Sequence, residues 1–252
     1  MGVSKAKSKL INSLHLKKFR NEYGLFVAEG RKLIGELLPH FHCRLLLRTE
    51  EPFENEATSF PNEVVVIDSP DELKGVSKLT TPPSALALFE IPQREFSKES
   101  LSTSLTLMLD DVQDPGNLGT IIRTANWFGI NQIICSHGCA DVFSNKVVQA
   151  TMGALAHVNI FYTDLIPILE YCASDNIAIY GTMLNGKNIY ETPLNNGIIV
   201  MGNEGNGISD EVAQFVNNAL LIPSFSTDNV TESLNVAIAT AITCAEFRRR
   251  GI

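Results

Sequence analysis

The stretch IVMGNEGNGIS, residues 199–209, places three glycines directly after a strand-like apolar run. Glycines at such a point let a ligand approach the backbone closely. Two phosphate-binding loops are excluded, because the glycine order is G-x-x-G-x-G and the G-K-[ST] ending of a Walker loop is absent. Glu204 lies in the middle of the stretch and would repel a phosphate. The loop therefore favours adenosine linked to a cationic group, a description that S-adenosylmethionine meets.

Short apolar strands alternate with helix-like segments around this loop. Because buried strands separated by helices are typical of parallel sheets, the pattern predicts a parallel sheet covered on both faces. The predicted strands lie near 104–110, 131–135, 158–162, 176–181, 197–201 and 219–222, and the predicted helices between them at 117–128, 144–152, 164–174 and 208–217.

The first part of the chain alternates in the same way. The pattern predicts a polar helix at 5–20, strands at 25–29, 44–48, 64–68 and 85–90, and further helices at 30–38 and 69–79. Residues 91–103 lose all periodicity and are predicted to form a linker. The fold class is therefore α/β, with a small α/β domain at 1–90, a linker at 91–103 and a larger α/β domain at 104–252.

Charge is unevenly distributed along the chain. The net charge is −8, yet residues 1–50 carry ten Lys and Arg against four Glu. A basic arm on an acidic body is typical of a chain that binds a polyanion such as RNA through one end. A solvated amphipathic helix explains the same charges equally well. The candidate RNA-binding residues are Lys5, Lys7, Lys9, Lys17, Lys18, Arg20, Arg31 and Lys32.

Cysteine usage and hydropathy narrow the possible classes further. The five cysteines are scattered without a C-x-x-C pair, which favours reduced thiols and a cytoplasmic location. Cys135, His137 and Cys139 lack a second pair of ligands at zinc spacing, so no metal is predicted. No apolar run approaches the ~18 residues of a membrane helix, so no membrane contact is predicted.

The segment DDVQDPGNLGTIIRTANWFGI (110–130) carries polar residues after a predicted strand. Asn117 is predicted to cap the helix that follows. Arg123 interrupts the apolar side of that helix, so its side chain must reach solvent, pair with an acid or point at a ligand. Trp127, the sole tryptophan, is predicted to lie in the core or at an interface rather than to stack on a base.

The segment at 220–250 has a similar design. A strand and a proline precede a polar loop, and Thr231, Glu232 and Ser233 are predicted to open a long helix with Asn235 in its first turn.

Three motifs in these segments resemble those of the SpoU (TrmH) family of RNA ribose methyltransferases. They are N-L-G-T-I-I-R-T-A (117–125), M-G-N-E-G-N-G-I (201–208) and S-L-N-V-A-I-A-T-A (233–241). The resemblance covers about 104–250, and FVAEGRKLIGELL (26–38) is similar to part of the L30e-like substrate-binding domain of many members. The arrangement is more similar to members that methylate guanosine in 23S rRNA than to the shorter tRNA enzymes.

The resemblance implies a knotted SPOUT-type parallel-sheet catalytic domain, S-adenosylmethionine as cofactor, and a homodimer whose active site draws on both subunits. It places the cofactor against Thr182, Gly202, Asn203, Glu204, Gly205, Gly207, Ile222, Pro223 and Leu234. The family's catalytic positions correspond to Asn117, Arg123, Glu204, Ser233 and Asn235.

Residues 224–232 form a loop some three residues longer than the family pattern, which affects the cofactor loop and the choice of RNA. Because an arginine stays protonated, Arg123 is expected to hold an RNA phosphate and stabilise the developing oxyanion, while the phosphate or a water takes the proton. Simpler roles also fit: a helix cap for Asn117, a surface ion pair for Arg123, a helix start for Ser233 and hydrogen bonds within its own loop for Glu204.

The predicted function is S-adenosylmethionine-dependent methylation of a ribose 2′-hydroxyl in RNA, with 23S rRNA as the favoured substrate. The alternatives are a tRNA 2′-O-methyltransferase and a catalytically inactive RNA-binding protein of the same fold. A nucleotide-using enzyme of unrelated α/β fold would need a phosphate loop that the sequence lacks.

Overall fold

The computed structural model describes residues 3–49, 51–54, 56–59, 61–94, 96–226 and 233–251, and the chain divides into two compact units. Unit 1 comprises Met1–Gln93 and Asp141–Ala156, and unit 2 comprises Arg94–Ala140 and His157–Ile252. The helix predicted at 144–152 thus belongs to unit 1, although its place in the sequence put it in the second predicted domain. Thr231 and Glu232, and with them most of the long loop, lie outside the described residues.

The described α-helices are α1 (Lys5–Ser13), α2 (Lys17–Tyr23), α3 (Arg31–Leu37), α4 (Glu56–Ser59), α5 (Pro115–Trp127), α6 (Asn145–Thr151), α7 (Ile166–Ser174), α8 (Asp210–Ala213) and α9 (Val236–Arg249). The described strands are β1 (Leu25–Glu29), β2 (Cys43–Arg48), β3 (Val64–Val66), β4 (Ala85–Glu90), β5 (Thr106–Leu109), β6 (Gln132–Cys135), β7 (Asn159–Tyr162), β8 (Ala178–Asn188), β9 (Gly197–Met201) and β10 (Asn218–Leu221). Short 3-10 helices lie at Pro70–Leu73, Glu99–Ser102 and Ala154–Ala156.

Unit 1 contains a four-stranded sheet in the order β1-β4-β2-β3. β4 runs antiparallel to both β1 and β2, and only β2 and β3 are parallel. The small α/β domain predicted for this part of the chain is thus built on a mixed sheet. Alternation alone cannot tell a parallel from a mixed sheet when the connections are short.

Two of the helices predicted for unit 1 differ from the structure. The helix predicted at 5–20 is two helices, because Leu14 is buried at their junction and Leu16 takes an extended conformation. The helix predicted at 69–79 is only the 3-10 turn Pro70–Leu73, and Gly75, a poor helix former, follows it.

Unit 2 contains a six-stranded sheet in the order β10-β8-β9-β5-β6-β7, and every pair in it is parallel. The parallel sheet predicted for the second domain is confirmed. A buried cluster formed by β5, β6, β8, β9, α7 and α8 includes Met108, Ile134, Ile198 and Val200. The central strands β5 and β9 are buried along their whole length, as their continuous apolar sequences require.

Several bounds in unit 2 correct the sequence predictions. α5 begins at Pro115 rather than at Asn117, since Asp114 is its cap and proline suits the first helical position. Asn235 caps α9 rather than lying in its first turn. Within the predicted linker, Leu101 is buried in the 3-10 turn Glu99–Ser102, so part of that segment packs on the core.

No helix within the described ranges is long and apolar enough to cross a membrane.

Candidate active site

The glycine loop, residues 201–208, is a tight hairpin at the carboxyl end of β9. Asn203 and Gly207 pair across it through backbone hydrogen bonds of 2.8 and 3.0 Å. The Asn203 Oδ1 atom accepts from the backbone N–H groups of Gly205 and Asn206 at 2.8 and 3.0 Å. One asparagine side chain thus organises the turn that contains Glu204.

The glycines serve the hairpin itself as well as any ligand. A Cβ atom on Gly202 would lie 2.2 Å from the carbonyl carbon of Gly207, so only glycine fits there. Gly207 has φ +72°, a conformation that glycine adopts without strain. The sequence interpretation assigned the absence of side chains to ligand access, but at Gly202 it is needed for the close approach of the loop's own backbone.

Glu204 reaches across to the loop before α5. Its carboxylate accepts from the backbone N–H groups of Gln113 and Asp114 at 3.4 and 3.3 Å, and from Asn117 Nδ2 at 2.9 Å. Burial by itself would raise the pKa of Glu204, but hydrogen bonds from the Asn117 side chain and from backbone N–H groups outweigh it and hold the pKa below its ordinary value. The carboxylate is therefore ionised at neutral pH.

Asn117 connects Glu204 to the start of α9. Asn235 Nδ2 donates to Asn117 Oδ1 at 2.9 Å, and Asn117 Nδ2 donates to Glu204. Asn235 Oδ1 caps α9 by accepting from the N–H groups of Ala237 and Ile238 at 2.9 and 3.3 Å. The structure thus brings three of the five predicted catalytic residues, one from each motif, into a single hydrogen-bonded chain.

A cavity of about 780 Å³ lies beside this chain of residues, within unit 2. Its volume falls in the range of roughly 300–1,000 Å³ that is typical of small-molecule sites. It is lined by Ser233 and by all nine residues predicted to contact the cofactor: Thr182, Gly202, Asn203, Glu204, Gly205, Gly207, Ile222, Pro223 and Leu234.

One wall of the cavity comes from a part of β8 in which the sequence indicated only Thr182. β10 pairs with β8 at Gly181 and then, one residue later, at Lys187, so residues 182–186 bulge out of the ladder. Thr182, Met183, Leu184 and Asn185 in this bulge line the cavity. Gly186 permits the return, because a Cβ atom there would lie 2.5 Å from the backbone of Leu220. In the sequence, Gly186 is the only sign of this bulge among the residues that form it.

The residues that line the cavity fit S-adenosylmethionine. Apolar side chains at Ile222, Leu234 and Val236 offer a surface for a nucleoside, and the glycine loop presents backbone groups beside them. Glu204 places one ionised carboxylate in a wall that has no basic side chain among the described lining residues. Such a lining suits a cation better than a phosphate.

Arg123 lies apart from this hydrogen-bonded chain. It is exposed on α5 and makes no hydrogen bond or ion pair with any residue that the structure describes. Trp127, one turn further along α5, is 84% exposed, so the predicted core position is wrong and an interface position remains a prediction. The surface ion pair weighed for Arg123 is absent from the described part of the chain.

The basic residues of unit 1 are not equivalent. Arg20 is buried, pairs with Asp141 and donates to the carbonyl of Leu14, so it cannot reach RNA and its expected role is corrected. Arg31 donates to two backbone carbonyls at 2.8 and 2.9 Å and stacks over Phe53. The exposed candidates include Lys5, Lys9, Lys18 and Lys32.

The segment around Cys135, His137 and Cys139 is ordinary strand-end structure. Cys135 and Cys139 are both buried, and Cys139 Sγ lies 3.3 Å from the carbonyl oxygen of Leu109. Across the described ranges, no group of three or more His, Cys, Asp or Glu side chains is placed to hold a metal ion.

Comparison with known proteins places this chain in one family. The model of the SpoU rRNA Methylase family matches residues 104–245, and that of the MRM3-like substrate binding domain matches 5–87. The chain is 30% identical, over 93% of each chain, to the Bacillus subtilis 23S rRNA (guanosine(2553)-2′-O)-methyltransferase RlmP.

Solved structures support the same family. A candidate TrmH-family RNA methyltransferase from Porphyromonas gingivalis superposes with a TM-score of 0.87 at 42% identity, over 99% of this chain and 100% of that one. The S-adenosylmethionine-bound rRNA methyltransferase of Sinorhizobium meliloti superposes with a TM-score of 0.84 at 28% identity, over 99% of this chain and 97% of that one.

The parallel sheet, the cavity at its strand ends and the polar chain beside it define an α/β methyltransferase of SPOUT type. The chain belongs to the SpoU rRNA methylase family. It is an RNA ribose 2′-O-methyltransferase that uses S-adenosylmethionine, so the predicted reaction class and cofactor are confirmed. The trefoil knot and the L30e-like character of unit 1 stay predictions.

Proposed function

We propose that this enzyme methylates the 2′-hydroxyl of a guanosine ribose in 23S rRNA. The hydrogen-bonded chain Glu204–Asn117–Asn235 beside the 780 Å³ cavity carries the proposal, because it joins the three motifs at one point. The likeness to RlmP over nearly the whole chain, and the match of residues 5–87 to a substrate-binding domain, favour ribosomal RNA over tRNA.

The cavity holds the methyl donor in this proposal. S-adenosylmethionine supplies a methyl group on a sulfonium, which is already an activated leaving group, so no metal is required. Ile222 and Leu234 contact the nucleoside, and the glycine loop offers backbone groups to it. Glu204, with its lowered pKa, keeps a negative charge at the cavity wall and stabilises the cation electrostatically.

Asn117 and Asn235 act as a rigid frame for the reacting groups. Each side-chain amide has both its donor and its acceptor engaged, since Asn117 bonds to Glu204 and Asn235, and Asn235 bonds to Asn117 and the start of α9. Fixed side chains of this kind hold a substrate oxygen in line with the methyl group without reorganising during the reaction. Ser233, exposed on the cavity wall, is placed to donate a hydrogen bond to the ribose or the cofactor.

Arg123 contacts RNA in this proposal. Its exposed guanidinium stays protonated and is suited to bind a phosphate through two parallel hydrogen bonds. The positive charge also stabilises the oxyanion that develops on the 2′-oxygen, and the phosphate or a water accepts the proton.

We further propose that the enzyme is a homodimer. Arg123 belongs to no hydrogen-bonded group that the structure describes, and the neighbouring Trp127 presents an apolar ring that is 84% exposed. A second copy covering this face of α5 would bury the ring and bring Arg123 to the partner's cavity. Sedimentation equilibrium tests the dimer, and a monomer at micromolar concentration would contradict it.

Methyl transfer to purified RNA tests the function directly. The enzyme is incubated with labelled S-adenosylmethionine and with 23S rRNA or bulk tRNA from a strain that lacks the gene, and 2′-O-methyl positions are then mapped. A single labelled guanosine in 23S rRNA is expected. Label in tRNA alone would replace the proposed substrate, and no label in either RNA would favour an inactive RNA-binding protein.

A further inference from the structure

Asp111 has an unusual backbone conformation directly beside the glycine loop. Its φ is 60°, and residues other than glycine rarely take positive values, although aspartate is among the more tolerant types. The residue follows β5 by two positions and precedes the loop that binds Glu204. A strained residue next to a site persists only when its surroundings hold it in place.

The side chain of Asp111 is half-buried, and its neighbours form a partial enclosure around it. Ser136 Oγ accepts from the Asp111 N–H at 3.0 Å and lies 3.3 Å from Asp111 Oδ1, while Gln113 Nε2 donates to Oδ2 at 3.2 Å. The carboxylate also fills the space above Gly138, where an added Cβ atom would lie 1.7 Å from Asp111 Oδ1. Gly138 and Ser136 therefore fix the conformation of Asp111 from the end of β6.

The backbone carbonyl of Asp111 connects this enclosure to the cavity. It accepts from Asn203 Nδ2 at 2.8 Å. The other end of the same amide, Asn203 Oδ1, holds the N–H groups of Gly205 and Asn206, which line the cavity. The hairpin turn around Glu204 is thus tied to β6 through Asp111.

We propose that Asp111 is a positioning residue for the cofactor cavity. Its left-handed backbone, fixed by the fit of its side chain against Gly138 and Ser136, directs its carbonyl at Asn203 and so holds the glycine loop in its binding shape. The proposal rests on the proposed cofactor cavity, and it adds Asp111, Ser136 and Gly138 to the residues that determine cofactor affinity.

A double-mutant cycle tests the proposal by calorimetry with S-adenosylmethionine on the full-length protein. Gly138→Ala pushes the Asp111 side chain from its place and should weaken binding about fivefold, roughly the weight of one hydrogen bond. In an Asp111→Gly background the obstructing carboxylate is gone and glycine tolerates the positive φ. There, Gly138→Ala should have no further effect on affinity.

Other results would overturn the proposal. If Gly138→Ala lowers only the melting temperature and leaves the affinity unchanged, the enclosure is merely structural. If the loss persists in the Asp111→Gly background, Asp111 does not transmit it. Failure of the wild-type protein to bind S-adenosylmethionine would instead refute the cavity itself.

Two more variants complete the test. Should Gly138→Ala fail to fold, Asn203→Asp keeps the acceptor for Gly205 and Asn206 but loses the bond to the Asp111 carbonyl, so it should weaken binding as well; unchanged affinity overturns the proposal. Asn176→Gly is the matched control, since Asn176 also has a positive φ of 57° but is exposed, beyond the end of α7. It should leave the affinity unaltered.

Discussion

The carboxylate of Glu204 lies beside the residues that directly precede α5. The start of α5 presents backbone N–H groups and the positive end of a helix dipole, both of which attract an anion. Here the protein supplies the anion itself, because Glu204 accepts from Gln113 and Asp114. A glutamate in the middle of a glycine loop is therefore compatible with ligand binding when the ligand is a cation rather than a phosphate.

Arg123 is the residue whose substitution separates RNA contacts from cofactor contacts. Arg123→Ala should lower the rate of methyl transfer by ~10²–10³, the usual effect of losing one transition-state contact. The affinity for S-adenosylmethionine should stay within a few-fold, since the proposal places the Arg123 side chain on RNA and the developing oxyanion rather than on the cofactor. Single-turnover rates and calorimetry measure the two effects.

Arg44→Ala is the control for Arg123→Ala, because Arg44 pairs with Glu90 on the exposed surface of unit 1. It should leave the rate unchanged. Near-normal turnover of Arg123→Ala would show that Arg123 takes no part in catalysis.

At the scale of elements, α9 is fixed at both ends, by an uncharged side-chain amide at its start and by ion pairs at its end. Asn235 caps its start and touches Asn117, while Glu246 and the arginines Arg249 and Arg250 form ion pairs at its end. Arg250 also donates to the carbonyls of Thr192, Ile189 and Tyr190. The Ser-Leu-Asn motif directly precedes α9, so it is attached to a helix whose far end is fixed by contacts outside the site.

The two roles of Asn235 can be separated by substitution. Asn235→Asp keeps an oxygen that caps α9, so the stability of the protein should stay near the wild-type value. The variant loses the N–H donor to Asn117, so its methylation rate should fall by a factor between about 10 and ~10², as for other lost positioning contacts. Asn235→Ala should lose the rate and also about 1 kcal/mol of stability. Urea denaturation and methyl-transfer rates provide both readouts.

Ser144→Ala is the matched control, since Ser144 caps α6 in unit 1 by accepting from Val147 at 3.4 Å. It should lower stability without changing the chemical step. Full activity of Asn235→Asp would show that the bond to Asn117 has no catalytic role.

The end of α9 should make stability depend on acid pH. Hydrogen bonds from Arg249, which outweigh burial, and then from Arg250 lower the pKa of Glu246 to about 2. Because the folded pKa lies below that of the unfolded chain, the stabilisation is present at neutral pH and is lost as pH falls from about 4.5 to about 2. Glu246→Gln should therefore lower the melting temperature at pH 7, and its deficit should shrink across that window.

Glu90→Gln serves as the comparison for Glu246→Gln. Glu90 makes an ion pair with Arg44, and both side chains are about half exposed. Exposed ion pairs contribute little to stability, so the melting temperature of Glu90→Gln should match the wild type at pH 7 and throughout the acid window. A constant deficit of Glu246→Gln down to pH 2 would exclude the ionised carboxylate as the cause.

At the scale of the whole molecule, the excess of basic residues lies in the first 50 residues, which belong to unit 1. Lys9 and Lys32 are exposed there, whereas Arg20 is buried against Asp141 and Arg31 is held by the chain around Phe53. The set of RNA-binding candidates is therefore smaller than the sequence indicates. The salt dependence of RNA binding reports how many of them act.

Reversing the exposed charges of unit 1 should weaken RNA binding. The double variant Lys9→Glu, Lys32→Glu should bind more weakly and flatten the slope of log K against log salt by about 1.4–1.8, since each phosphate contact contributes roughly 0.7–0.9. Titration of labelled 23S rRNA across a salt series measures both. Affinity for S-adenosylmethionine should be unchanged.

The control carries the same change of charge at Lys74 and Lys98, which are exposed and lie outside the candidate set. If both double variants bind equally well and with the wild-type slope, the basic arm of unit 1 is only a solvated surface.

The sequence alone determined the strands of both sheets, because apolar periodicity is a local property that each segment carries by itself. β1, β4 and β9 have the predicted bounds, and the other strands lie within a few residues of theirs, except that β8 runs on to Asn188. The three motifs likewise indicated the reaction class and the cofactor, because their residues and their order can be recognised in the sequence without knowledge of tertiary contacts. The pattern predicted too long a helix at 69–79, where only the 3-10 turn Pro70–Leu73 forms and Gly75, a poor helix former, follows it.

Only the tertiary structure decided how the motifs meet. Asn117 and Glu204 are 87 residues apart in the chain, and Asn117 and Asn235 are 118 apart, so their hydrogen bonds depend on the parallel order of β5 and β9 and on the start of α9. The bulge of β8 and the conformation of Asp111 also depend on distant parts of the chain, because Gly186 lies against the backbone of Leu220 and Gly138 against the side chain of Asp111. Such contacts are set by packing between elements, and no local pattern of residues encodes them.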